Sequence, residues 1–128
     1  MHFSDVKQKQ PTIKSVRPWG DIHVIVRNHP CSVDVTHIRP GERSSLHSHE
    51  SRAELFHFLD EGATLEINGQ IYHPEAHEEF ILMPGDKHRF WATEREFRMV
   101  VISFGEWEAA DQVRHEDDYG RARETLQL

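Results

Sequence analysis

Residues 41–62 read GERSSLHSHESRAELFHFLDEG, and this stretch decides how the chain is understood. Its His47 and His49 are separated by one residue. On an extended strand, side chains two positions apart share a face, so these two imidazoles stand side by side. Glu54 follows in the same stretch, where a neighbouring strand can bring its carboxylate to the third corner of a metal site. His88, in the run MPGDKHR at residues 83–89, is the fourth candidate. Phe56 and Phe58 share the parity of Glu54 and are expected to line the interior, whereas Leu55, His57 and Leu59 point the other way.

Outward from this stretch, the chain reads as short strands punctuated by turn residues. Residues 21–27 (DIHVIVR) are rich in Ile and Val, and residues 32–38 (SVDVTHI) alternate apolar with polar. Pro40-Gly41, residues 60–62 and Pro84-Gly85 are turns. Residues 63–73 (ATLEINGQIYH) carry Asn68-Gly69, which fits a type I′ hairpin because both central residues need positive φ. Residues 78–83, 88–93 and 97–104 are further strands. Nine or ten short strands, with no convincing helix before residue 106, predict an all-β sandwich or barrel. Residues 1–11 are polar and are expected to form a flexible arm. Residues 106–128 are charged and rich in helix formers, interrupted by Gly120. They predict a short helical or irregular tail packed on the barrel, and the whole of 1–128 is read as one domain.

Composition narrows the function. With 22 acidic and 15 basic residues the formal charge is −7, which opposes non-specific binding to nucleic acid or to an anionic membrane. A small anionic substrate is still compatible, since a local arginine cluster overrides net charge. Cys31 is the single cysteine, so no intramolecular disulfide forms and a reducing cytoplasm is the simplest setting. No apolar run approaches the roughly 20 residues that span a bilayer.

Each candidate ligand has a plainer reading. An H-x-H pair more often lies on a solvated strand face, Glu54 can pair with Arg52 or Arg43, and His88 can be a turn residue. The four together, placed around three turns, are far more specific. Three imidazoles and a carboxylate suit one divalent transition metal ion, Zn²⁺, Fe²⁺, Mn²⁺, Co²⁺ or Ni²⁺, with positions left open for substrate. Trp19, Trp91 and Trp107 are expected in the core or at its rim, Trp91 near enough to His88 to touch the site.

The spacing of Gly41, His47, His49, Glu54 and Gly62 resembles the first cupin motif, and residues 83–88 (MPGDKH) resemble the second. The resemblance implies a cupin double-sheet β-barrel, or jelly roll, and assigns the metal-ligand role to His47, His49, Glu54 and His88. Cupins pair through an outer sheet face, so a homodimer is expected, with Leu55, His57 and Leu59 at its interface. A narrower resemblance, to the type II mannose-6-phosphate isomerase domain, rests on residues 16–20 (VRPWG), 39–43 (RPGER), 52–54 (RAE), 87–89 (KHR) and 113–121 (VRHEDDYGR). It implies an aldose–ketose isomerase acting on a small anionic sugar or sugar phosphate. Arg43, Arg52, Lys87 and Arg89 are then candidates for the substrate phosphate, guanidinium being well shaped for it. The chain departs from that branch at His47, where glutamine is usual, at Glu50 and Ser51, and at Leu55-Phe56. The same ligand set also serves an Fe(II) cupin dioxygenase or a non-catalytic metal- or sugar-binding cupin.

Overall fold

A computed structural model describes residues 9–10, 13–18, 20–24, 30–105 and 108–121. Twelve strands follow in order: β1 (Lys9–Gln10), β2 (Ile13–Arg17), β3 (Gly20–Val24), β4 (Cys31–Ile38), β5 (Leu46–His49), β6 (Ala53–Phe58), β7 (Ala63–Ile67), β8 (Gln70–Tyr72), β9 (Glu79–Leu82), β10 (His88–Ala92), β11 (Phe97–Phe104) and β12 (Gln112–Glu116). One five-stranded sheet has the order β1-β9-β6-β11-β4, and a second has the order β12-β5-β10-β7-β8. β2 and β3 form a separate hairpin, and the pairings within all three sheets are antiparallel. This is the double-sheet barrel expected from the strand pattern. No helix among the described residues is long and apolar enough to cross a membrane.

Strand parity builds the core. Phe56 and Phe58 of β6 face inward and meet Phe80, Phe90, Phe97, Leu65, Ile67 and Met99 from both sheets. Phe58, fully buried, stacks edge-on with Phe80 at 6.0 Å between ring centroids and lies 5.9 Å from Phe97. The turn chemistry also holds: Asn68 and Gly69 have φ of 49° and 84°, the pair a type I′ hairpin requires, and Ile67 faces Gln70 across it.

The outward face of the first sheet is buried at its middle and open at its β4 edge, where Val33 and Val35 are exposed. Leu55 and His57 point outward as expected, yet both are buried within the chain itself. Leu55 belongs to a second apolar cluster with Ala53, Ile81, Ile102 and Phe104. His57 Nδ1 lies 2.8 Å from Glu79 Oε2. Leu59, the third residue expected at a dimer interface, is half-buried.

The tail corrects one expectation. Residues Ala109–Asp111 form only a 3-10 turn, and Gln112–Glu116 then pair with β5 as a strand. Without β12, one side of β5 would carry unpaired backbone groups beside the barrel interior. Satisfying them outweighs the helical preference of the local sequence. Of the expected arm, Lys9–Gln10 is a strand beside β9. Trp19, Trp107, residues 1–8 and 11 of the arm and residues 106–107 and 122–128 of the tail lie outside the described residues. The strand that carries His47 and His49 is short, Leu46–His49. The segment before it runs beside β10 irregularly, through Ser44 N to Phe90 O at 2.9 Å and Gly41 N to Ala92 O at 2.9 Å.

Phe58→Ala removes the centre of the aromatic cluster and is expected to cost about 3–5 kcal/mol. Urea unfolding of the variant measures this, and a loss below about 1 kcal/mol would show that the cluster does not carry the core.

Candidate metal centre

Both sheets contribute to one polar site. His47 and His49 stand on β5 with their shared parity directed inward. His88 opens β10 and sits opposite His47 in register. Glu54 reaches across from β6 in the other sheet. The ring centroids of His47 and His88 are 4.3 Å apart, those of His47 and His49 5.3 Å, and those of His49 and His88 5.5 Å. One nitrogen from each ring falls within 4.8 Å of the others. Glu54 Oε1 accepts from His49 Nε2 at 2.8 Å and lies 3.7 Å from His88 Nε2. All four side chains are buried.

The hydrogen bonds behind two of the rings orient them for ligation. His47 Nδ1 lies 2.9 Å from the carbonyl oxygen of Ser45, and His88 Nδ1 lies 2.9 Å from that of Asp86. A carbonyl only accepts, so in each ring the proton sits on Nδ1 and the Nε2 lone pair points into the barrel. His88 Nε2 is buried there with no hydrogen-bond partner among the described residues. An orphaned imidazole nitrogen beside a carboxylate is costly unless something electrophilic occupies the space between them. The donor set therefore fits a divalent transition metal, and His47, His49 and His88 form a triad that could hold one.

Electrostatics favour the same reading. Burial pushes the His47 imidazole well below its usual range, with His88 and His49 adding to the effect. Burial likewise lowers His88 to about 4, against the opposing pull of Glu54. Burial alone would raise Glu54, but the His49 hydrogen bond and the nearby His49, His88 and Arg52 hold it at about 2. At neutral pH the cluster thus contains a carboxylate with at least two neutral imidazoles, a negative nest for a dication.

A cavity of about 270 Å³ opens onto the cluster. His47, His49 and Glu54 line its polar side; Phe56, Phe90, Met99 and Val101 form an apolar wall; Arg52, Arg114 and Arg121 add positive charge, against one further carboxylate, Asp34. A wider cleft of about 790 Å³ lies elsewhere, between Asp60, Glu61, Arg95, Glu96 and Arg98. Its charges pair with one another, Arg98 with Asp60 at 2.9 Å and Arg95 with Glu61 at 3.2 Å, and it contains none of the triad. The smaller cavity is the one that meets the His/Glu cluster.

Of the four cations singled out from sequence, only Arg52 lines that cavity, its Nε 3.7 Å from Glu54 Oε2. Arg89 has the opposite strand parity to His88 and points away, its Nε donating to Ser44 O at 3.1 Å. Arg43 is exposed and holds Asp118, its Nη2 2.7 Å from Oδ1. Lys87 is exposed in the turn before β10. Trp91 also faces out, bridging to Arg43, and Phe90 lines the cavity in its place. Arg114, opposite His47 on β12, was not singled out as a phosphate candidate, because nothing local marks residues 112–116 as a strand over the site.

The fold and the buried His/Glu cluster define a cupin. The sequence matches the family described as mannose-6-phosphate isomerase C-terminal over residues 4–118, and the chain belongs to that family. Among solved structures it resembles ChmJ, a 3′-monoepimerase from Streptomyces bikiniensis in complex with dTDP-quinovose. The TM-score is 0.66 at 14% identity, covering 83% of this chain and 67% of that one. It also resembles a dTDP sugar isomerase from Desulfovibrio desulfuricans G20 (TM-score 0.65, 12% identity, 87% and 84% covered). The capsular polysaccharide assembling protein CapF from Staphylococcus aureus matches with a TM-score of 0.61 at 16% identity. There 83% of this chain is covered, which spans only 34% of CapF. At these identities the likeness shows the shared fold. No curated protein matches the sequence.

The buried histidines make acid stability predictable. An unfolded histidine titrates near 6.5 and His88 near 4, so between these values the unfolded chain binds the extra proton. Stability of the metal-free protein should therefore fall as pH drops through that window, by on the order of 3 kcal/mol for His88 alone. Protonation of Glu54 should remove more as pH falls further, from 4.5 towards about 2. Chemical denaturation of chelator-treated protein at stepped pH tests this; a flat profile from neutral to pH 4 would contradict it.

Proposed function

We propose that the chain is a metal-dependent aldose–ketose isomerase of a phosphorylated sugar, with mannose 6-phosphate the substrate to test first. The observation that carries this reading is the pairing of a buried three-imidazole, one-carboxylate cluster with arginines on the wall of one small cavity. In a protein of formal charge −7, cations gathered at such a mouth point to an anionic ligand. Membership of the mannose-6-phosphate isomerase C-terminal family supports the reaction class.

His47, His49, His88 and Glu54 would hold the metal. A divalent ion held there supplies Lewis acidity for the negative charge that builds on the enediolate oxygens when a proton leaves C2 of the aldose and returns at C1. The protein's own groups do the rest. Arg114 and Arg52, on the wall of the same cavity, offer guanidinium groups suited to a phosphate. Phe56 and Phe90 exclude water from the reacting end and strengthen every charge interaction there. About 270 Å³ lies just under the range typical of drug-sized ligands, which suits a single sugar phosphate.

The departures from the isomerase branch fall mostly outside this cavity. Glu50 is exposed, Ser51 is engaged with Asp111, and Leu55 is packed in the outer cluster. Only His47 and Phe56 change the lining, the first supplying a further imidazole nitrogen.

A coupled assay of fructose 6-phosphate formation from mannose 6-phosphate, after reconstitution with Zn²⁺, Mn²⁺, Co²⁺, Ni²⁺ or Fe²⁺, tests the reaction. Turnover is expected with at least one ion and should vanish with chelator or in His88→Ala. Arg114→Ala should raise KM for the phosphorylated sugar by about 10- to 100-fold, the loss expected for one charge-assisted contact, with metal content unchanged. Metal-loaded protein that turns over no sugar phosphate with any of these ions would sink the isomerase reading.

A further inference from the structure

His49 differs from the other two imidazoles in what stands behind it. His47 and His88 each have a backbone carbonyl at Nδ1, at 2.9 Å in both cases. His49 Nδ1 has none: it is buried and makes no hydrogen bond among the described residues. Facing it at 4.0 Å is Asp111 Oδ2, which is also buried and also without a hydrogen-bond partner among the described residues. Two orphaned polar atoms pointing at each other in a protein interior are a pair waiting for a proton between them.

The other half of the carboxylate explains why Oδ2 points that way. Asp111 Oδ1 accepts from Glu50 N at 3.0 Å, Ser51 N at 2.7 Å and Ser51 Oγ at 2.8 Å. Three donors on one oxygen lock the carboxylate's rotation. The Asp111 carbonyl accepts from Glu50 N as well, at 3.1 Å. Asp111 itself closes the 3-10 turn that leads directly into β12.

The tautomer accounts for the gap. With His49 Nε2–H donating to Glu54 Oε1 at 2.8 Å, a neutral ring carries a lone pair on Nδ1. A lone pair facing a carboxylate oxygen is repulsive, and 4.0 Å is consistent with that state. For His49 to ligate through Nε2, its proton must move to Nδ1, where Asp111 Oδ2 is the acceptor at hand.

We infer that Asp111 is the positioning residue for His49. It accepts the Nδ1–H bond of the ligating tautomer and so couples metal loading to the docking of the turn and strand that follow. The inference rests on the metal reading above and assigns a role to a residue that touches neither metal nor substrate. The backbone amides of Glu50 and Ser51 keep the carboxylate aimed whatever side chain stands at position 51.

The test compares Zn²⁺ affinity, by competition with a chromophoric chelator, in the wild type and in Asp111→Asn. Asparagine keeps the oxygen that Glu50 and Ser51 require but turns an NH₂ donor toward His49. Affinity should fall by about 10- to 100-fold, while the thermal midpoint of the metal-free variant stays close to wild type. Ser51→Ala, which keeps both carboxylate oxygens, should bind within about threefold of wild type, a small fraction of the loss expected for Asp111→Asn. A folded Asp111→Asn that binds Zn²⁺ as tightly as wild type overturns the inference and leaves the metal reading intact. If that variant does not fold, ¹⁵N NMR of the wild-type imidazoles decides. Zn²⁺ loading should give His49 a slowly exchanging Nδ1–H, and a loaded protein without it overturns the inference equally. Wild type that takes up no transition metal at all removes the metal reading and this one together.

Discussion

Three imidazoles and a carboxylate have been taken out of water and placed between two apolar sheets, and most of the structure answers to that constraint. Burying such groups unpaired costs several kcal/mol each. The cost is offset locally by backbone carbonyls at Ser45 and Asp86 and by the Glu54–His49 contact. It is offset globally by the aromatic cluster beneath, where Phe56 packs its edge against the His88 ring at 5.7 Å between centroids. The barrel thus has an apolar floor that stabilises and a polar end that would do chemistry. A site of this kind stays rigid because each ring is held by a strand on one side and a hydrogen bond or a packed aromatic ring on the other.

Closure by β12 is the second consequence. The strand that bears His47 and His49 has only a single register pair with β10, so its backbone depends on what arrives from the C-terminal end. β12 supplies that pairing, and in doing so delivers Arg114 to the cavity wall and Asp111 to the back of His49. Stability and chemistry therefore share one element. Beyond it, Arg121 holds Asp117 at 2.9 Å and Asp118 holds Arg43, so the chain that follows β12 is strapped onto the loop after β4.

The parity rule explains both the successes and the failures of reading cations from sequence. Arg89 and Lys87 flank His88, and neighbours in a strand point to opposite faces, so proximity in sequence to an inward histidine argues against sharing its cavity. Arg43 sits in an irregular segment where parity offers no guide. Arg52 lies just before β6, between β5 and β6, and its guanidinium is held near Glu54.

Local rules were enough for the barrel and for the four clustered side chains. Period-two alternation placed His47, His49, Glu54, Phe56 and Phe58 on inner faces, and Asn68-Gly69 set the register of its hairpin. Each of these is decided by a few consecutive residues. The role of residues 109–116 was not legible in the same way. Their composition favours a helix, and only the unpaired edge of β5, some sixty positions earlier, makes a strand of them. Asp111 and Arg114 acquire their places through that long-range pairing. The tertiary structure alone decided what stands behind His49 and which arginines share its cavity, because backbone hydrogen-bonding demand outweighed local propensity.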